Sequence, residues 1–398
     1  NNVGMFNIID RLLLPPQRSF FLFGPRSVGK SFWLRRHFSS APYFDLLNNA
    51  IYLELSRNPS ILEAKIGDKP RGSWVCIDEI QKIPTLLSEV HRLIEDKGFN
   101  FALSGSSARK LRRGGADLLA GRAVTCRLEG FSFAETRKLF DLDAVINWGS
   151  LPIILGSKSE TDIASILSAY VHTYIKEEIK EEGIVRNIEP FIRFLEVAGI
   201  VNGQILNKEN IARDAKVPRA TVDVYFSILE DTLLGHFLPA FRPNVKVREQ
   251  SHPKFYWFDA GVARGAAGLL NDPVDSMWRG WSFETLIFHE LRVYNHVRGK
   301  NRQIFFYRTG AGSEIDFVIE TKKKMLTGKS NIVCIEVKYS KKWDRRWEKP
   351  MRLLAEDNKI VVVKMFGVYC GADRYYFDGI EVLPVKTFLE LLYNGKIF

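Results

Sequence analysis

One short stretch near the N-terminus, Phe20–Phe32, holds residues whose types and spacing suit phosphate chemistry. An apolar run, Ser19–Phe23, leads directly into the segment GPRSVGKS, and a helical pattern follows. The segment fits G-x-x-x-x-G-K-[ST], the phosphate-binding loop that joins a strand to a helix. Its glycines let backbone N–H groups approach a polyphosphate, and the start of the helix directs its positive end at the anion.

This loop predicts a binding site for ATP and Mg²⁺. Lys30 would supply a mobile cation to the β- and γ-phosphates, and Ser31 would place a hydroxyl on Mg²⁺. An ordinary glycine-rich turn is the alternative, and the flanking strand and helix patterns argue against it. The residues expected to contact the nucleotide are Gly24, Pro25, Arg26, Ser27, Val28, Gly29, Lys30, Ser31 and Phe32.

Two acidic residues end the next strongly apolar segment, Trp74–Glu79. Its four apolar residues predict a buried parallel strand, and ligands bind at the carboxyl ends of such strands. Asp78 is placed to organise Mg²⁺ through its waters, as a metal residue together with Ser31. Glu79 is placed to polarise the water that attacks the γ-phosphate. Because many strands end in acids, the pair gains its meaning from the upstream loop.

Two further positions are candidates for the same site. The apolar segment Asn100–Leu103 ends in SGSS, where Ser104 or Ser106 could read the γ-phosphate; a Ser/Gly turn is the plain alternative. Arg122 lies just before a strand predicted at Ala123–Leu128 and could supply transition-state charge as an arginine finger. A surface arginine explains that position equally well.

These motifs together resemble a known family. The segments that carry the likeness occur in order as GPRSVGKS, WVCIDEIQ, FALSGSSARKL, LLAGRAV and RLEGFSFAE. They resemble the bacterial and archaeal AAA+ ATPases of the "ATP-binding protein" group, and the later segment GSLP is similar to the Gly-Gly-x-Pro element of that group. The resemblance implies an AAA-type nucleotide domain, phosphate and Mg²⁺ contacts by Lys30 and Ser31, and Mg²⁺ and water contacts by Asp78 and Glu79. It implies little about biological role.

A second group of chemically suited residues lies in the last third of the chain. A helix predicted at Trp278–Tyr294 carries the first residue, and strands predicted at Ser313–Ile319 and Asn331–Tyr339 carry the others. Side chains two apart on a strand share a face, so pairing of these two strands would bring the residues together. The group consists of Glu284, Asp316, Glu336 and Lys338.

Carboxylates from separate elements together with a lysine suit Mg²⁺-assisted cleavage of a phosphodiester. The segment resembles the PD-(D/E)xK restriction-endonuclease fold, and these four residues match its motif. The family to which the first domain is similar also carries a C-terminal region of unknown function. The site could be an active nuclease, or the fold could be a platform in which a buried lysine–glutamate pair is purely structural.

The middle of the chain has helix–turn–helix spacing. Asn207–Leu229 fits two helices joined by a turn at Lys216–Pro218, and Leu233–Ala240 could start a wing strand. In such modules the second helix enters the major groove by its N-terminus, which would place Arg219 at DNA. Asp223 would face phosphates badly, and winged helices of AAA+ ATPases also serve as structural or dimer-forming lids. DNA contact and a structural role both remain open.

The bulk composition is that of a soluble globular protein. The 398 residues predict roughly two to three domains and are 46% hydrophobic and 26% charged. Lysine and arginine exceed aspartate and glutamate by 57 − 46 = +11, which favours polyanionic partners, although a solvated basic surface explains the excess equally well. No apolar run approaches the ~18 residues of a membrane helix, and no secretory signal is recognisable. Four scattered cysteines, without metal-ligand spacing, are expected to be reduced in a cytoplasmic protein.

The sequence therefore predicts an α/β protein of three units. Residues 1–150 are expected to form a P-loop AAA-type domain with a parallel sheet, residues 151–250 a helical and winged-helix-like unit, and residues 251–398 a restriction-endonuclease-like unit. The leading hypothesis is an AAA+ ATPase coupled to nucleic-acid binding, DNA in the first place, and to nuclease activity, with a homo-oligomer as an option. The alternatives are an ATP-gated switch or scaffold with an inactive nuclease-like unit, and a nucleotide-dependent DNA-binding regulator.

Overall fold

Parallel strands and the helices that cover them make up the first third of the chain. The computed structural model describes residues 9–107, 119–157, 159–181, 185, 187–242, 252–309, 312–323 and 328–398. Its first elements are β1 (Phe20–Phe23), α1 (Lys30–His37), β2 (Tyr43–Asp45), α2 (Asn49–Arg57), α3 (Ile61–Ile66), β3 (Trp74–Asp78), α4 (Leu86–Lys97), β4 (Asn100–Gly105), β5 (Val124–Arg127), α5 (Phe133–Thr136) and α6 (Leu142–Trp148).

The sheet of this region runs in the order β2-β3-β4-β1-β5, with every neighbouring pair parallel. Strand β1 is buried on both faces: Phe20 and Leu22 join one apolar core, whereas Phe21 and Phe23 join another with α3 and α4. Because all five strands point the same way, the residues that follow β1, β3 and β4 meet at one edge of the sheet. The predicted parallel α/β domain is confirmed.

The sequence of residues 8–14, which Pro15 and Pro16 end, predicts a short helix, but residues 9–14, its described part, have no helical turn. Tertiary contacts hold this segment instead. The Arg11 guanidinium donates to Glu135 Oε1 at 3.0 Å and to the carbonyl of Val28 at 3.1 Å, and the Leu12 N–H donates to Glu135 Oε1 at 2.8 Å. Those contacts replace the backbone bonds that a short isolated helix would make, and such helices are marginal by themselves.

The middle of the chain is helical with one small antiparallel sheet in the order β6-β8-β7. The apolar periodicity of residues 160–182 predicts one long helix; over the described residues it consists of two α-helices joined by a π-helical segment, Tyr170–Ile175. The elements are α7 (Glu160–Ala169), α8 (Lys176–Glu181), α9 (Ile188–Ile200), β6 (Gln204–Ile205), α10 (Lys208–Ala215), α11 (Arg219–Asp231), β7 (Gly235–Leu238), β8 (Lys254–Trp257) and α12 (Ala260–Ala266).

Strand β8 lies beyond the boundary at residue 250 that the sequence suggested, yet it pairs with β6 and β7 of the middle unit. Its residues Lys254–Trp257 are all buried. The chain after β7 also bonds to the last unit, because the Phe241 N–H donates to the carbonyl of Phe306 at 2.6 Å. The middle and last units are therefore joined through their strands.

The last unit is a mixed sheet in the order β13-β14-β12-β11-β10-β9. Strand β10 is antiparallel to β9 and β11, whereas β12 is parallel to β11 and β14. The elements are α13 (Ser276–Val297), β9 (Gln303–Arg308), β10 (Glu314–Lys322), β11 (Ser330–Lys338), α14 (Lys349–Ala355), β12 (Ile360–Tyr369), β13 (Tyr375–Phe377), β14 (Ile380–Pro384) and α15 (Val385–Tyr393).

The sequence also predicts reduced cysteines and no membrane-spanning helix. Cys76, Cys126, Cys334 and Cys370 are all free thiols. Within the described ranges, none of the helices combines the length and the apolar character that a bilayer crossing requires.

Candidate functional site

The predicted phosphate-binding loop connects β1 to α1. Gly29 has φ +91°, a left-handed conformation that glycine adopts without strain, and α1 begins at the next residue. Gly24 is equally constrained, because a Cβ there would lie 2.1 Å from the carbonyl oxygen of Leu128. Lys30 is buried, and its Nζ donates to the carbonyls of Gly24 at 2.7 Å and Pro25 at 2.9 Å. The first residues of the loop thus bind the ammonium group of Lys30 through their carbonyls.

The carboxylate of Asp78 lies at the end of β3, two strands away from the loop. It accepts hydrogen bonds from the Tyr43 hydroxyl at 2.5 Å and from the Ser104 hydroxyl. Tyr43 also interacts with the side chain of Ser31, so its phenol lies between the two residues predicted to hold Mg²⁺. Burial, and then the neighbouring Asp78, raises the pKa of Tyr43. The resulting cluster of oxygen atoms is the ligand chemistry that Mg²⁺ prefers.

Glu79 has a left-handed backbone, with φ +61°, directly after β3. Its N–H donates to the hydroxyl of Ser104 at 3.2 Å, and its Oε2 accepts from the side-chain amide of Gln81. The same Gln81 amide donates to the hydroxyl of Ser106 at 3.0 Å. Glu79 is therefore held between the ends of β3 and β4, where the loop after β1 also lies.

The two serines predicted after β4 have different surroundings. Ser104 is fully buried and serves the Asp78 carboxylate and the Glu79 N–H, so its hydroxyl orients those residues. Ser106 contacts Gln81, a buried residue that the sequence interpretation missed. A signal was available, because Gln81 follows the acidic pair closely in WVCIDEIQ.

Arg122 lies at the edge of the sheet opposite the loop. It comes just before β5, whose Val124 pairs with Phe20 at the start of β1, whereas the loop follows the end of β1. Its guanidinium donates to Glu95 near the end of α4. Arg122 therefore lies away from the loop of its own chain. The basic segment 108–118, which precedes it, lies outside the described residues.

The middle unit touches the loop directly. The Tyr170 hydroxyl, at the start of the π-helical segment, donates to the carbonyl of Arg26 at 3.1 Å. The Arg26 guanidinium lies 3.8 Å from Glu177 of α8. A change of the loop conformation at Arg26 would therefore alter its contacts with the π-helical segment and with α8.

A cavity of about 180 Å³ lies beside α1. Residues of the segment before β1 and of the first turns of α1 line it, among them Leu14, Phe32 and Arg36. Leu14 and Phe32 are 75% and 53% exposed, which is unusual for large apolar side chains. Because Phe32 directly follows Ser31, this apolar surface is continuous with the loop.

The four residues predicted for a second site converge in the last unit. Lys338 Nζ lies 2.5 Å from Glu336 Oε1 and 3.4 Å from Asp316 Oδ2. The antiparallel register of β10 and β11 explains this closeness, since Phe317 pairs with Ile335. Glu284 reaches the same place from α13, through a lysine described next.

Three residues of this cluster were missed by the sequence interpretation. Lys254 of β8 places its Nζ 2.5 Å from Glu314, 3.4 Å from Glu284 and 3.9 Å from Asp316. The Tyr256 hydroxyl, two residues along β8, donates to Glu284 Oε2 at 3.0 Å. A lysine and a tyrosine in the apolar run KFYW were the available signal.

Burial dominates the electrostatics of the cluster. It raises the pKa of Glu284 to about 7 against the attraction of Lys254. Burial and the negative charge of Asp316 raise the pKa of Glu336 well above its usual range. Lys254 and Lys338 neutralise part of the negative charge of the cluster. No group of three or more histidine, cysteine, aspartate or glutamate side chains arranged to hold a metal ion is present among the residues that the structure describes.

The charged side chains of the helix–turn–helix segment are paired with one another. Arg219, at the start of α11, contacts Asp223 at 2.5 Å and Glu209 at 3.1 Å. Lys208 also pairs with Asp223. Arg219, the residue predicted to meet DNA, is therefore partly neutralised within the module.

Comparison with known proteins agrees with the architecture of the first unit. Residues 16–137 match the family model described as an AAA domain. Residues 139–272 match a domain of unknown function (DUF8612), and residues 279–388 match a second one (DUF4143). The first unit is thus similar to an AAA domain, and the two regions that follow match models without a described function.

Individual relatives add little about function. The chain is 25% identical over 379 residues to an uncharacterized protein of Methanocaldococcus jannaschii, covering 87% of this chain and 81% of the relative. Among solved structures it is similar to the Aeropyrum pernix ORC1 protein in complex with DNA, at 14% identity over 64% of this chain and 87% of that one, with a TM-score of 0.25. A STAND ATPase of Pyrococcus horikoshii matches at 10% identity over 71% and 46%, with a TM-score of 0.19. Likenesses at these TM-scores say nothing about binding by this chain.

Proposed function

We propose that this protein binds ATP with Mg²⁺ at the loop after β1 and hydrolyses it. The observation that carries the proposal is the meeting of the loop with Asp78 and Glu79 at one edge of a parallel sheet. The match of residues 16–137 to an AAA domain supports it. Lys30 would exchange its bonds to the loop carbonyls for bonds to the phosphates, which frees the loop to wrap the polyphosphate.

The oxygen cluster fits Mg²⁺. Ser31 and Asp78 would hold the ion, directly or through water, and the phosphates would supply the remaining oxygen ligands. When bound, the ion neutralises charge that develops on the phosphates. Tyr43 and Ser104 donate to Asp78 and keep its carboxylate turned towards this place. Glu79, fixed by Gln81, would orient the attacking water.

The cavity beside α1 is suited to the base of the nucleotide. An adenine ring needs a flat apolar surface, and the exposed side chains of Leu14 and Phe32 provide one next to the loop. Binding would remove these side chains from water.

The test uses two loop-edge variants. Lys30→Ala should weaken ATP binding roughly ten- to hundred-fold, the range for a lost charge-assisted hydrogen bond, and Lys69→Ala, an exposed lysine of the same domain, should not. Glu79→Gln should keep ATP binding and slow hydrolysis by about 10²–10⁴-fold. Unchanged ATP affinity in Lys30→Ala by calorimetry would refute the nucleotide site. Normal turnover in Glu79→Gln would refute the role of Glu79.

We further propose that Arg122 serves a neighbouring molecule in a homo-oligomer. Arg122 lies at the edge opposite the loop of its own chain, and it would exchange its bond to Glu95 for the nucleotide of another chain. If so, ATP turnover per molecule should rise with protein concentration in the wild type. Arg122→Ala should remove that rise while ATP affinity is kept, and a wild-type rate independent of concentration would contradict the proposal.

Nucleic-acid binding is a second proposed function, supported by the arrangement of α9, α10 and α11 with the sheet β6-β8-β7, which is the order of a winged helix. For the last unit, the order of α13, β9, β10, β11, α14 and β12 supports a restriction-endonuclease-like fold. The ion pairs of its acidic cluster favour a scaffold over an active nuclease.

Filter binding at several salt concentrations tests nucleic-acid binding by the winged helix, since Arg219→Glu should abolish a salt-sensitive affinity. Metal-dependent nicking of DNA or RNA by the wild type would overturn the scaffold reading.

A further inference from the structure

A second cavity, of about 170 Å³, lies where the three units of the chain meet. Phe133 of α5, Trp148 at the end of α6 and Leu286 of α13 all line it. These three residues fall in the three regions that match separate family models. Most of its other wall residues are aromatic or aliphatic as well. An apolar cavity of roughly 150 Å³ stays dry and admits one benzene ring, so this cavity has room for a ligand of that size.

The polar groups at the cavity wall already have partners within the protein. The Thr136 hydroxyl donates to the carbonyl of Ser132 at 3.0 Å, and the Ser150 hydroxyl donates to Asp259 at 3.3 Å. Both oxygens of Glu290 accept hydrogen bonds. Burial raises the pKa of Glu290 to about 8, so this carboxyl is mostly neutral at pH 7 and repels no anion. The interior of the cavity therefore suits an apolar group.

The cavity opens to solvent between apolar side chains. Leu139 and Leu155 line it and are 59% and 41% exposed. Ala144, on α6, is a further wall residue that is exposed. A ligand from solution thus meets an apolar entrance.

Two cations lie beside the aromatic wall. The Arg137 guanidinium is 6.0 Å from the centre of the Phe133 ring, and Lys386 Nζ is 5.9 Å from the centre of the Phe140 ring. Both side chains are exposed, and neither forms an ion pair within the part of the chain that the structure describes. Asp141 is the opposing charge at the wall, but its carboxylate accepts two backbone N–H groups at the start of α6. The surroundings of the cavity therefore favour a negatively charged group.

We propose that this cavity binds a small amphiphilic carboxylate, whose ring or chain of about six carbons fills the cavity and whose anionic group meets Arg137 and Lys386. The apolar part would gain from leaving water, and the carboxylate would stay at the surface beside the two cations. Such a ligand touches all three units, so it should stabilise the folded protein against unfolding. This inference goes beyond the ATPase and does not depend on it.

Calorimetry and thermal unfolding with three probes test the ligand class. Phenylacetate carries the ring and the charge, toluene the ring alone, and acetate the charge alone. We expect phenylacetate to bind and to raise the melting temperature. Toluene should bind about five-fold more weakly, the largest effect usual for an exposed ion pair, and acetate should not bind measurably. Absence of phenylacetate binding at millimolar concentration, or equal affinities for phenylacetate and toluene, would overturn the proposal.

A variant that fills the entrance tests the location. Ala144→Phe should weaken phenylacetate binding at least ten-fold, whereas Ala50→Phe, at an exposed alanine of α2, should leave it unchanged. Leu139→Trp is a second filling variant, used if the melting temperature without ligand shows that Ala144→Phe is unfolded. Wild-type phenylacetate affinity in either folded variant would overturn the proposed site.

A double variant tests the two cations. Arg137→Gln combined with Lys386→Gln should lower phenylacetate affinity to that of toluene and should leave toluene affinity unchanged. The control combines Arg57→Gln with Lys69→Gln, which changes the net charge equally at exposed positions of the first domain. An equal loss of phenylacetate affinity in both double variants, or no loss in the first, would refute the role of Arg137 and Lys386 and with it the proposed carboxylate.

Discussion

Gln81 shows how a single residue connects the two strand ends beside the loop. Its amide donates to Glu79 and to Ser106, and a Cβ on the neighbouring Gly105 would lie 2.8 Å from its Oε1. We expect Gln81→Ala to lower kcat for ATP hydrolysis by a factor of about 10 to 100, because Glu79 loses the contact that orients it. ATP affinity should stay within about two-fold, since Gln81 does not contact the loop. Steady-state hydrolysis and calorimetry measure the two quantities.

The control for this prediction is Gln17→Ala, at an exposed glutamine of the same domain. A matched loss of ATP affinity in Gln81→Ala would mean that the residue supports the nucleotide site as a whole. An unchanged kcat would show that Glu79 needs no support from Gln81.

Glu290 of α13 provides a prediction about pH. Its carboxylate accepts from the Phe133 N–H at 2.7 Å and from the Tyr393 hydroxyl at 2.6 Å, and burial raises its pKa to about 8. The folded state therefore holds this proton more tightly than the unfolded state, whose pKa is near 4.5. The stability from that proton is complete below about pH 4.5 and is lost as the pH rises to about 8, by at most about 1.4 kcal/mol per pH unit.

Glu290→Gln should flatten this part of the stability profile. Urea unfolding at pH 5, 7 and 9 should show the variant gaining on the wild type as the pH rises. Glu356→Gln, at an exposed glutamate, should follow the wild type. Parallel profiles for wild type and Glu290→Gln would mean that Glu290 is ionised at neutral pH.

Single residues also show which parts of the two candidate sites a sequence can indicate. Lys30 and Asp78 were recognisable because a contiguous loop and a strand end carry the chemistry in short sequence motifs. Lys254 and Glu314 were not assigned to the second site, because only the pairing of β8 beside α13 and β10 brings them to it. The edge that Arg122 occupies is likewise set by the direction of β5 in the sheet, which the sequence alone does not indicate.

At the scale of elements, α11 is a helix whose basic start is neutralised by its own module. Asp223 contacts both Arg219 and Lys208. We expect Asp223→Asn to strengthen DNA binding several-fold, because it frees Lys208, leaves Arg219 with Glu209 as its remaining acidic partner, and removes one charge that repels phosphates. The slope of log affinity against log salt concentration should become steeper, by the amount that about one to two additional phosphate contacts produce. Fluorescence anisotropy with a labelled duplex measures both.

A control with the same change in net charge separates local from general effects. Asp96→Asn in α4 raises the net charge equally but lies in the first domain. If both variants gain the same affinity, the effect is a non-specific consequence of the positive charge. If neither gains, α11 does not meet DNA.

The elements of the first domain were predictable because β1, β3 and β4 are apolar runs buried on both faces. The helix expected before β1 fails for a tertiary reason: Arg11 and Leu12 bond to Glu135, 123 or more residues away, which local periodicity does not register. The pairing of β8 with β7 across the boundary suggested near residue 250 is likewise a tertiary contact that local periodicity does not register.

At the scale of the whole molecule, a chain of contacts runs from the loop to the last unit. Arg11 donates to the carbonyl of Val28 in the loop at 3.1 Å and to the carbonyl of Glu129 at 2.5 Å. The Glu129 carboxylate accepts two hydrogen bonds from Arg292 of α13, at 2.6 and 2.9 Å. Burial acts to raise the pKa of Glu129, but Arg292, with His236 and His289, lowers it to about 2. This buried ion pair fastens the first domain to the last.

Removal of one partner of that pair should be costly for the whole protein. We expect Arg292→Ala to reduce stability by about 3–5 kcal/mol, measured as a shift of the urea midpoint, because Glu129 is left as an unpaired buried charge. Arg374→Ala is the matched control: its pair with Glu381 is largely exposed, and such pairs contribute about 0–1 kcal/mol. Combining Glu129→Leu with Arg292→Met should recover most of the loss, since apolar replacements of a buried pair are often neutral or stabilising. If the double variant remains as unstable as Arg292→Ala, the damage comes from lost packing at α13, and the ion pair is not what joins the two units.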